Sequence, residues 1–280
     1  MASPRVRSEV FQALLRHWRS RRGLSQLDLA IAAEVSSRHV SFLETGRAQP
    51  SREMVLRLGA TLSLPLRDQN EMLRAAGFED AFSEPNVDEM PSPIARAIER
   101  MLAQHEPFPM IVLDRQYDVV QNNDGANRML ASMIADPSAL PSRLNVFHAL
   151  FDPRLVRQFV VDWDRVAHAL VSRLHRETLS RPEDSALARL MRSLFEYPDV
   201  PESWRQPDFS VPSEPVLTLR LKRDELELAF LTMVTSFNAP QNVTLEELRI
   251  ESYFPLDDVT ARACETMGGG EEAVRFVSRK

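Results

Sequence analysis

The strongest constraint on the fold of this chain is a series of helix start and stop signals near its N-terminus. Ser25 is followed three residues later by Asp28, and this capping box predicts a helix over about residues 26–33. Ser36 can cap the next helix, and Gly46 can end it in the left-handed conformation that glycine tolerates well. Two short helices separated by a tight turn are therefore expected.

The turn between these two helices covers residues 34–36, and the small Ala30 stands where the helices would cross. A helix-turn-helix motif needs such close packing at a steep angle. Leu27, Ala30 and Ile31 recur at helical spacing, so we expect them to form the inward face of the first helix of the pair.

Three further helices are expected around this pair. Apolar residues recur at helical spacing over residues 10–18, and Gly23 would end that helix. Pro50 and Ser51 open a fourth helix, and residues 66–76 predict a fifth. Residues 1–82 are thus expected to form a five-helix domain.

The charge of the chain is divided unevenly. The 280 residues carry a net charge of −6, with ordinary fractions of apolar (44%) and charged (26%) residues for a globular protein. Residues 1–52 hold nine arginines against four acidic residues, a balance of +5 that leaves −11 for the rest. A basic segment on an acidic body is typical of a nucleic-acid-binding module joined to a second domain, although a solvated basic face is the alternative.

A linker and a second domain are predicted beyond the helices. Residues 83–93 hold three prolines and three acidic residues, which favours a hinge. After a helix over residues 94–104, alternating apolar residues predict strands. The expected strands are residues 110–113, 117–121, 216–221, 226–235 and 248–254. The expected helices between them are a long one starting at Asp152 and Pro153, and one over residues 186–195.

This element order predicts an α+β chain. The second domain, residues 94–260, has the order of a PAS-like domain, in which helices cover one face of a five-stranded antiparallel sheet and leave an apolar pocket. Residues 261–280 include GGGEE and are expected to be a flexible tail.

The first domain resembles the XRE or phage-repressor class of helix-turn-helix proteins. The resemblance is carried by SQLDLAIAAEVSSRHVSFLETGRAQPS and covers residues 9–77. It implies a five-helix fold that binds double-stranded DNA, with the helix after Ser36 in the major groove. The implied DNA-binding residues are Gln26, Ser36, Ser37, Arg38, Ser41, Phe42 and Arg47.

The roles of these residues differ. Ser37 and Arg38 lie in the first turn of the recognition helix, and an arginine can donate two hydrogen bonds to guanine. Gln26, Ser36 and Arg47 match positions that contact phosphates in the class. Phe42 stands where a polar residue is common, which leaves two interpretations open: contact with thymine methyl groups, or burial.

Two further expectations follow from the same resemblance. Arg19 and Glu44 occupy positions that form a buried ion pair in relatives, and Glu44 is assigned that structural role. Arg16, Arg21 and Arg22 could reach phosphates or be solvated. Because one such domain contacts half an operator, we expect a homodimer on a pseudo-palindromic site.

The second domain resembles the MmyB-like transcription-regulator ligand-binding domain. The resemblance is carried by FPMIVLDRQYDVVQNNDGANRML, by LNVFHALFDPRLVRQFVVDWDRVAHALVSRLHRE, by YPDVPESWR and by NAPQNVTLEELRIESYFPLDD. It implies a small apolar ligand, fatty-acid-like in character. Asn123 matches the family's asparagine after the second strand, whereas Asn122, Asp124 and Gly125 are less usual.

Apolar residues are sufficient to line a pocket, with the filling of a core as the alternative for each. The candidate ligand-binding residues are Met110, Val112, Val119, Met129, Phe147, Phe159, Trp163, Leu228, Phe230 and Met233. A bound carboxylate would need a cation, for which Arg143, His148 and Arg173 are candidates.

Other functions find little support in the sequence. No P-loop, dinucleotide glycine pattern, H-E-x-x-H or G-x-S-x-G is present, so we expect no enzyme, catalytic residue, cofactor or metal site. No apolar run is long enough to span a membrane, and a single cysteine, Cys264, suits the cytoplasm. The rival hypothesis is a repressor whose second domain is a protein-interaction or dimerisation module without a ligand.

Overall fold

The structure, a computed structural model, describes residues 4–180, 185–207, 217–238, 240 and 242–267. They form two compact units. Among the described residues, unit 1 contains those up to residue 86 and those within 238–246, and unit 2 contains the others. The first boundary between the units falls within the predicted linker.

Unit 1 is built on five helices, as predicted. They are α1 (Pro4–Arg21), α2 (Gln26–Ala32), α3 (Ser37–Thr45), α4 (Arg52–Thr61) and α5 (Leu66–Ala75). The capping box at the start of α2 is present, with the Ser25 hydroxyl accepting from the Asp28 N–H and the Asp28 carboxylate accepting from the Ser25 N–H. Gly46 ends α3 at φ +74°, a conformation that disfavours any side chain.

The inward face of α2 differs from the predicted one. Leu29, Ala30 and Ala33 are buried, whereas Leu27 and Ile31 are 56% and 68% exposed. Both sets fit a helical period, because this short helix is apolar on two sides. Packing against the rest of unit 1 selects the face that carries Leu29.

Unit 2 is an antiparallel sheet with helices, which confirms the α+β class. The helices are α6 (Ser92–Gln104), α7 (Asp124–Ser132), α8 (Val146–Phe151), α9 (Trp163–Ser180), α10 (Ser185–Leu194) and α12 (Asp258–Met267), and α11 (Val243–Glu247) lies in the β4–β5 connection. The strands are β1 (Met110–Leu113), β2 (Val119–Asn122), β3 (Leu217–Arg223), β4 (Leu226–Thr235) and β5 (Arg249–Pro255). Their order across the sheet is β2-β1-β5-β4-β3, and every pair is antiparallel.

The long helix α9 starts later than predicted, at Trp163 instead of Asp152. The Asp152 carboxylate accepts the Arg154 N–H, which closes a local turn at the predicted start. Further along, Val160 forms a β-bridge with Leu221 of β3. The residues before it form turns and a short 3-10 helix (Arg157–Phe159), and Val160 itself is extended, so one continuous helix cannot run from Asp152 into α9.

The C-terminal prediction also needs correction. Residues 261–267, expected in a flexible tail, belong to α12, where Cys264 is buried. The Thr260 hydroxyl accepts the N–H of Ala229, which ties α12 to β4. Residues 268–280, including GGGEE, lie outside the described residues. Within the described residues, no helix has the length and apolar character needed to cross a membrane.

Candidate functional site

The first candidate site is the exposed side of α3, termed the recognition surface. It comprises the predicted DNA-binding residues Gln26, Ser36, Ser37, Arg38, Ser41, Phe42 and Arg47. Ser36 caps α3, with its hydroxyl accepting the N–H of His39 at 3.1 Å. Ser37 and Arg38 are exposed in the first turn of α3, and Arg47 is exposed just beyond its end.

Phe42 links the two arginines of this surface. Its side chain is half-buried, and the guanidinium carbons of Arg38 and Arg47 lie 5.0 and 5.9 Å from the centre of its ring. Both distances are within the range of a cation–π interaction. Phe42 is therefore only partly buried, and its ring contacts the guanidinium groups of both exposed arginines.

A buried ion pair fixes α3 against α1, as the resemblance implied. Glu44 is 2% exposed and accepts from Arg19 Nε at 2.6 Å and from Nη2 at 3.1 Å. Its hydrogen bonds with Arg19 raise the pKa of the Arg19 guanidinium. Arg19 Nη1 donates to the carbonyl of Leu24 at 2.8 Å, so the pair also holds the end of α1.

Two other residues that could contact phosphates form hydrogen bonds within unit 1 instead. Gln26 Nε2 donates to Glu44 at 2.7 Å, so a phosphate contact at Gln26 would fall to its backbone N–H. Arg22 donates to the carbonyls of Leu62 and Ser63, both at 2.7 Å. Arg22 thereby ties the end of α1 to the α4–α5 turn.

The second candidate site is the apolar core of unit 2. Four predicted ligand-binding residues, Val119, Phe147, Leu228 and Phe230, are buried in one cluster between the sheet and the helices. Three others, Met129, Phe159 and Trp163, are partly buried against it.

The remaining three predicted residues lie elsewhere. Successive side chains of a strand point to opposite faces of a sheet. Met110 and Val112 alternate with Ile111 and Leu113, which belong to the core cluster, so the first two face the other side. Met233 is an odd number of residues from Phe230 and is 52% exposed. The sheet therefore excludes these three from the core cluster.

A group of ionisable side chains lies at this core, and we term Arg173, Glu177, Arg249 and Glu251 the core charge cluster. Arg249 Nη2 donates to Glu177 Oε2 at 2.8 Å, and Arg173 Nε donates to Glu177 Oε1 at 3.4 Å. Arg173 Nη1 lies 3.7 Å from Glu251 Oε1. Glu251 pairs with Ile111 across the strands, so it points to the core face.

Two tyrosines complete the surroundings of the core charge cluster. The guanidinium carbons of Arg249 and Arg173 lie 4.5 and 5.3 Å from the ring centre of Tyr117, whose hydroxyl donates to Glu177. The Tyr253 hydroxyl donates to Glu251 at 3.3 Å.

Burial is the main electrostatic effect in this cluster. It raises the pKa of Glu251 and of the two tyrosine hydroxyls, because a low-dielectric interior disfavours their charged forms. Arg173 opposes part of the shift at Glu251. Arg249 Nη1 is buried and has no hydrogen-bond partner among the described residues.

Only Arg173 among the three expected cations reaches the core. Arg143 forms an ion pair with Asp114 and lies 3.1 Å from Asp118, and its side chain is largely exposed. His148 Nδ1 lies 2.9 Å from the Tyr197 hydroxyl, and burial lowers the pKa of its imidazole.

Sequence reasoning missed Glu177, Arg249 and Glu251. One signal was available: Arg249, Glu251 and Tyr253 are two residues apart along β5, so they share one face of the sheet. Arg173 and Glu177 stand four residues apart on α9, which places them on one side of that helix.

The sequence Asn123-Asp124-Gly125 has a structural explanation. The side-chain Oδ1 of the buried Asn123 accepts the N–H groups of Met110 and Ala126, so it caps α7 and holds β1. A Cβ at Gly125 would lie 2.5 Å from the carbonyl oxygen of Pro107, a distance that no side chain tolerates. Glycine is therefore required where α7 passes this backbone.

Two family models match separate parts of the chain. A helix-turn-helix domain model matches residues 11–73, and the MmyB-like transcription regulator ligand binding domain matches residues 94–267. No curated protein matches the sequence significantly.

A solved structure of an RNA-binding light-oxygen-voltage receptor aligns with 13% identity and a TM-score of 0.28. The alignment covers 91% of this chain and 63% of the receptor, so this chain spans less than two thirds of that protein's length. At that TM-score the likeness says nothing about fold or function.

Proposed function

Because this chain belongs to the family of the MmyB-like transcription regulator ligand binding domain and also carries a helix-turn-helix domain, we propose that it binds a specific operator in response to a small apolar ligand. The main support is the recognition surface. Its two arginines are exposed on and beside α3, while a buried ion pair holds that helix in unit 1.

Each residue of the recognition surface has a proposed role in this function. Arg38 reads a guanine edge in the major groove, and Ser37 and Ser41 contact the neighbouring base edges. Arg47, with the backbone N–H groups at Ser36 and Gln26, binds phosphates and sets the register. A homodimer places two such helices on a pseudo-palindromic operator.

We expect Phe42→Ala to weaken operator binding about 2- to 30-fold, because one or two cation–π contacts that orient the arginines are lost at roughly 0.5–1 kcal/mol each. The matched variant Phe42→Tyr keeps an aromatic ring under both guanidinium groups and should bind within about twofold of the original. Fluorescence anisotropy with a labelled duplex measures both. Equal affinity of the alanine variant and the original protein would show that the stacking has no role in recognition.

The proposed ligand is fatty-acid-like. The core cluster offers buried apolar surface on the sheet and at the edges of the helices, including Phe147, Leu228 and Phe230. At the same core, the buried Arg249 Nη1 has no hydrogen-bond partner among the described residues, and Arg173 lies 3.4 Å from Glu177 and 3.7 Å from Glu251. A carboxylate head group would supply the acceptor that Arg249 Nη1 lacks.

Native mass spectrometry of the purified full-length protein tests this proposal. We expect a stoichiometric lipid anion to be bound, and its removal to change the affinity for the operator. Arg173→Gln should lose the lipid, whereas Arg143→Gln, which changes an arginine outside the core, should retain it. Circular dichroism verifies that both variants are folded. A protein without ligand, whose operator affinity does not respond to added fatty acids, would contradict the proposal.

The alternative function is an interaction or dimerisation module without a ligand. One observation favours it: both arginines of the core charge cluster already lie beside glutamate carboxyl groups, so they have acidic partners without a ligand anion. Absence of a bound lipid, together with a constant operator affinity, would support this alternative.

A further inference from the structure

The connection between β4 and β5 belongs to unit 1, although both strands belong to unit 2. The chain passes between the two units after residues 86, 237 and 246. We term residues 238–246 the inserted segment, and its described C-terminal part, residues 242–246, carries the contacts below. Part of the sequence that matches the ligand-binding family is therefore a component of the DNA-binding unit.

The described part of the inserted segment is buried and hydrogen-bonded to unit 1. Asn242 and Leu245 are buried, and Val243 has no exposed surface. The Val243 N–H donates to the carbonyl of Ser83 at 3.0 Å, and the Thr244 hydroxyl donates to the carbonyl of Pro85 at 2.6 Å. These bonds attach the segment to the chain that follows α5.

Glu246 supplies a side-chain cap at the start of helix α5. The N-cap residue of α5 is Pro65, which makes no side-chain capping bond. Glu246 Oε2 accepts the N–H of Leu66, the first residue of α5, at 2.7 Å. A carboxylate at a helix N-terminus satisfies a free donor and interacts favourably with the helix dipole. The cap comes from a residue 180 positions further along the chain.

Helix α5 is connected to the recognition surface through unit 1. It packs against α1 and α4, and α1 packs against α3. The Arg19–Glu44 ion pair joins α1 directly to α3. A change in the first turn of α5 can therefore reach the recognition helix through packed elements and one buried ion pair.

Glu247, the next residue, has its partner in unit 2. Arg115 Nη1 donates to Glu247 Oε1 at 3.2 Å, and both side chains are largely buried. Two adjacent carboxylates thus hold two different units: Glu246 holds α5, and Glu247 holds the turn between β1 and β2. Any displacement of this short stretch alters one set of contacts or the other.

We propose that Glu246 is a positioning residue of the DNA-binding unit and that the inserted segment couples strands β4 and β5 to helix α5. When the ends of these strands move, the cap on α5 is strengthened or released, and operator affinity changes with it. The regulatory part of this inference rests on the proposed function. Reciprocity of coupling requires that operator binding also alters the inserted segment.

Amide hydrogen exchange of the full-length protein tests both parts. In the free protein, Glu246→Ala should speed exchange at Leu66 and the next two amides of α5 roughly 3- to 30-fold, the range of a lost cap. Glu246→Gln, which keeps an acceptor oxygen, should recover part of that protection. Glu247→Ala is the matched control, and its exchange in α5 should stay within about twofold of the original.

The second measurement adds the tightest duplex selected in vitro from random sequences. Duplex binding should slow exchange at the Val243 and Leu245 amides at least about fivefold in the original protein and in Glu247→Ala, but by less than about twofold in Glu246→Ala. If the original protein binds the duplex but the exchange rates of these two amides do not change, the proposed coupling is wrong. If the first amides of α5 exchange at equal rates in Glu246→Ala and Glu247→Ala, Glu246 does not position α5. If no duplex binds, the proposed function fails, while the free-protein comparison still decides the role of Glu246.

Discussion

Replacing Glu44 by alanine is expected to lower the free energy of unfolding of unit 1 by about 3–5 kcal/mol, because the change leaves a largely buried guanidinium without its counter-ion. Arg19 would lose two hydrogen bonds to the carboxylate, and Gln26 would lose its acceptor. The ion pair that joins α1 to α3 would also be lost. Amide exchange of the buried residues of α1 and α3 in the full-length protein measures this loss separately from unit 2.

Glu53→Ala provides the control for this prediction. Glu53 pairs with Arg57 at 3.2 Å on the surface of α4, and its side chain is 82% exposed. An exposed pair of this kind contributes only about 0.3–0.5 kcal/mol. If Glu44→Ala and Glu53→Ala lowered the free energy of unfolding of unit 1 equally, the buried pair would have no special role in holding the recognition helix.

Replacing Arg38 by alanine should reduce operator affinity by about 1–3 kcal/mol, which is roughly a 5- to 150-fold change, and relax the preference at one base pair of each half-site. The reason is that an arginine with two parallel donors distinguishes guanine from the other bases. Selection from random duplexes with each protein, followed by titration at constant salt, measures both effects.

Arg47→Ala separates base reading from phosphate binding. A phosphate contact should weaken binding to all duplexes equally and reduce the slope of log affinity against log salt by about one. We therefore expect the Arg47 variant to select the same sequence as the original protein. An Arg38 variant that also selected an unchanged sequence would remove Arg38 from base recognition.

Much of unit 1 could be predicted from the sequence, because its signals are local. The capping box at Ser25 and the left-handed Gly46 depend on bonds within a few residues, and both form as expected. The ion pair of Arg19 and Glu44 was expected from the family resemblance, and it is present.

The predictions that proved wrong involve competition between distant parts of the chain. Two faces of α2 had apolar residues at helical spacing, and only packing showed that Ile31 faces solvent. Asp152 and Pro153 carry the residue types of a helix start, yet Val160 pairs with Leu221, and α9 begins only at Trp163. Met233 was assigned to the pocket on its apolar character alone, and the alternation of β4 placed it outside.

The sequence by itself determined the five helices, the five strands and the α+β class, because caps, turns and periodicities act between residues close along the chain. Only the tertiary structure decided that Arg249 and Glu251 meet Arg173 at the core, and that Glu246 caps a helix formed by residues far earlier in the chain. Such contacts join residues separated by tens to hundreds of positions, and no local sequence pattern specifies which of these residues will meet. They exist because folding brings sheet, helix and connection together, where an unpaired buried donor or charge would be costly.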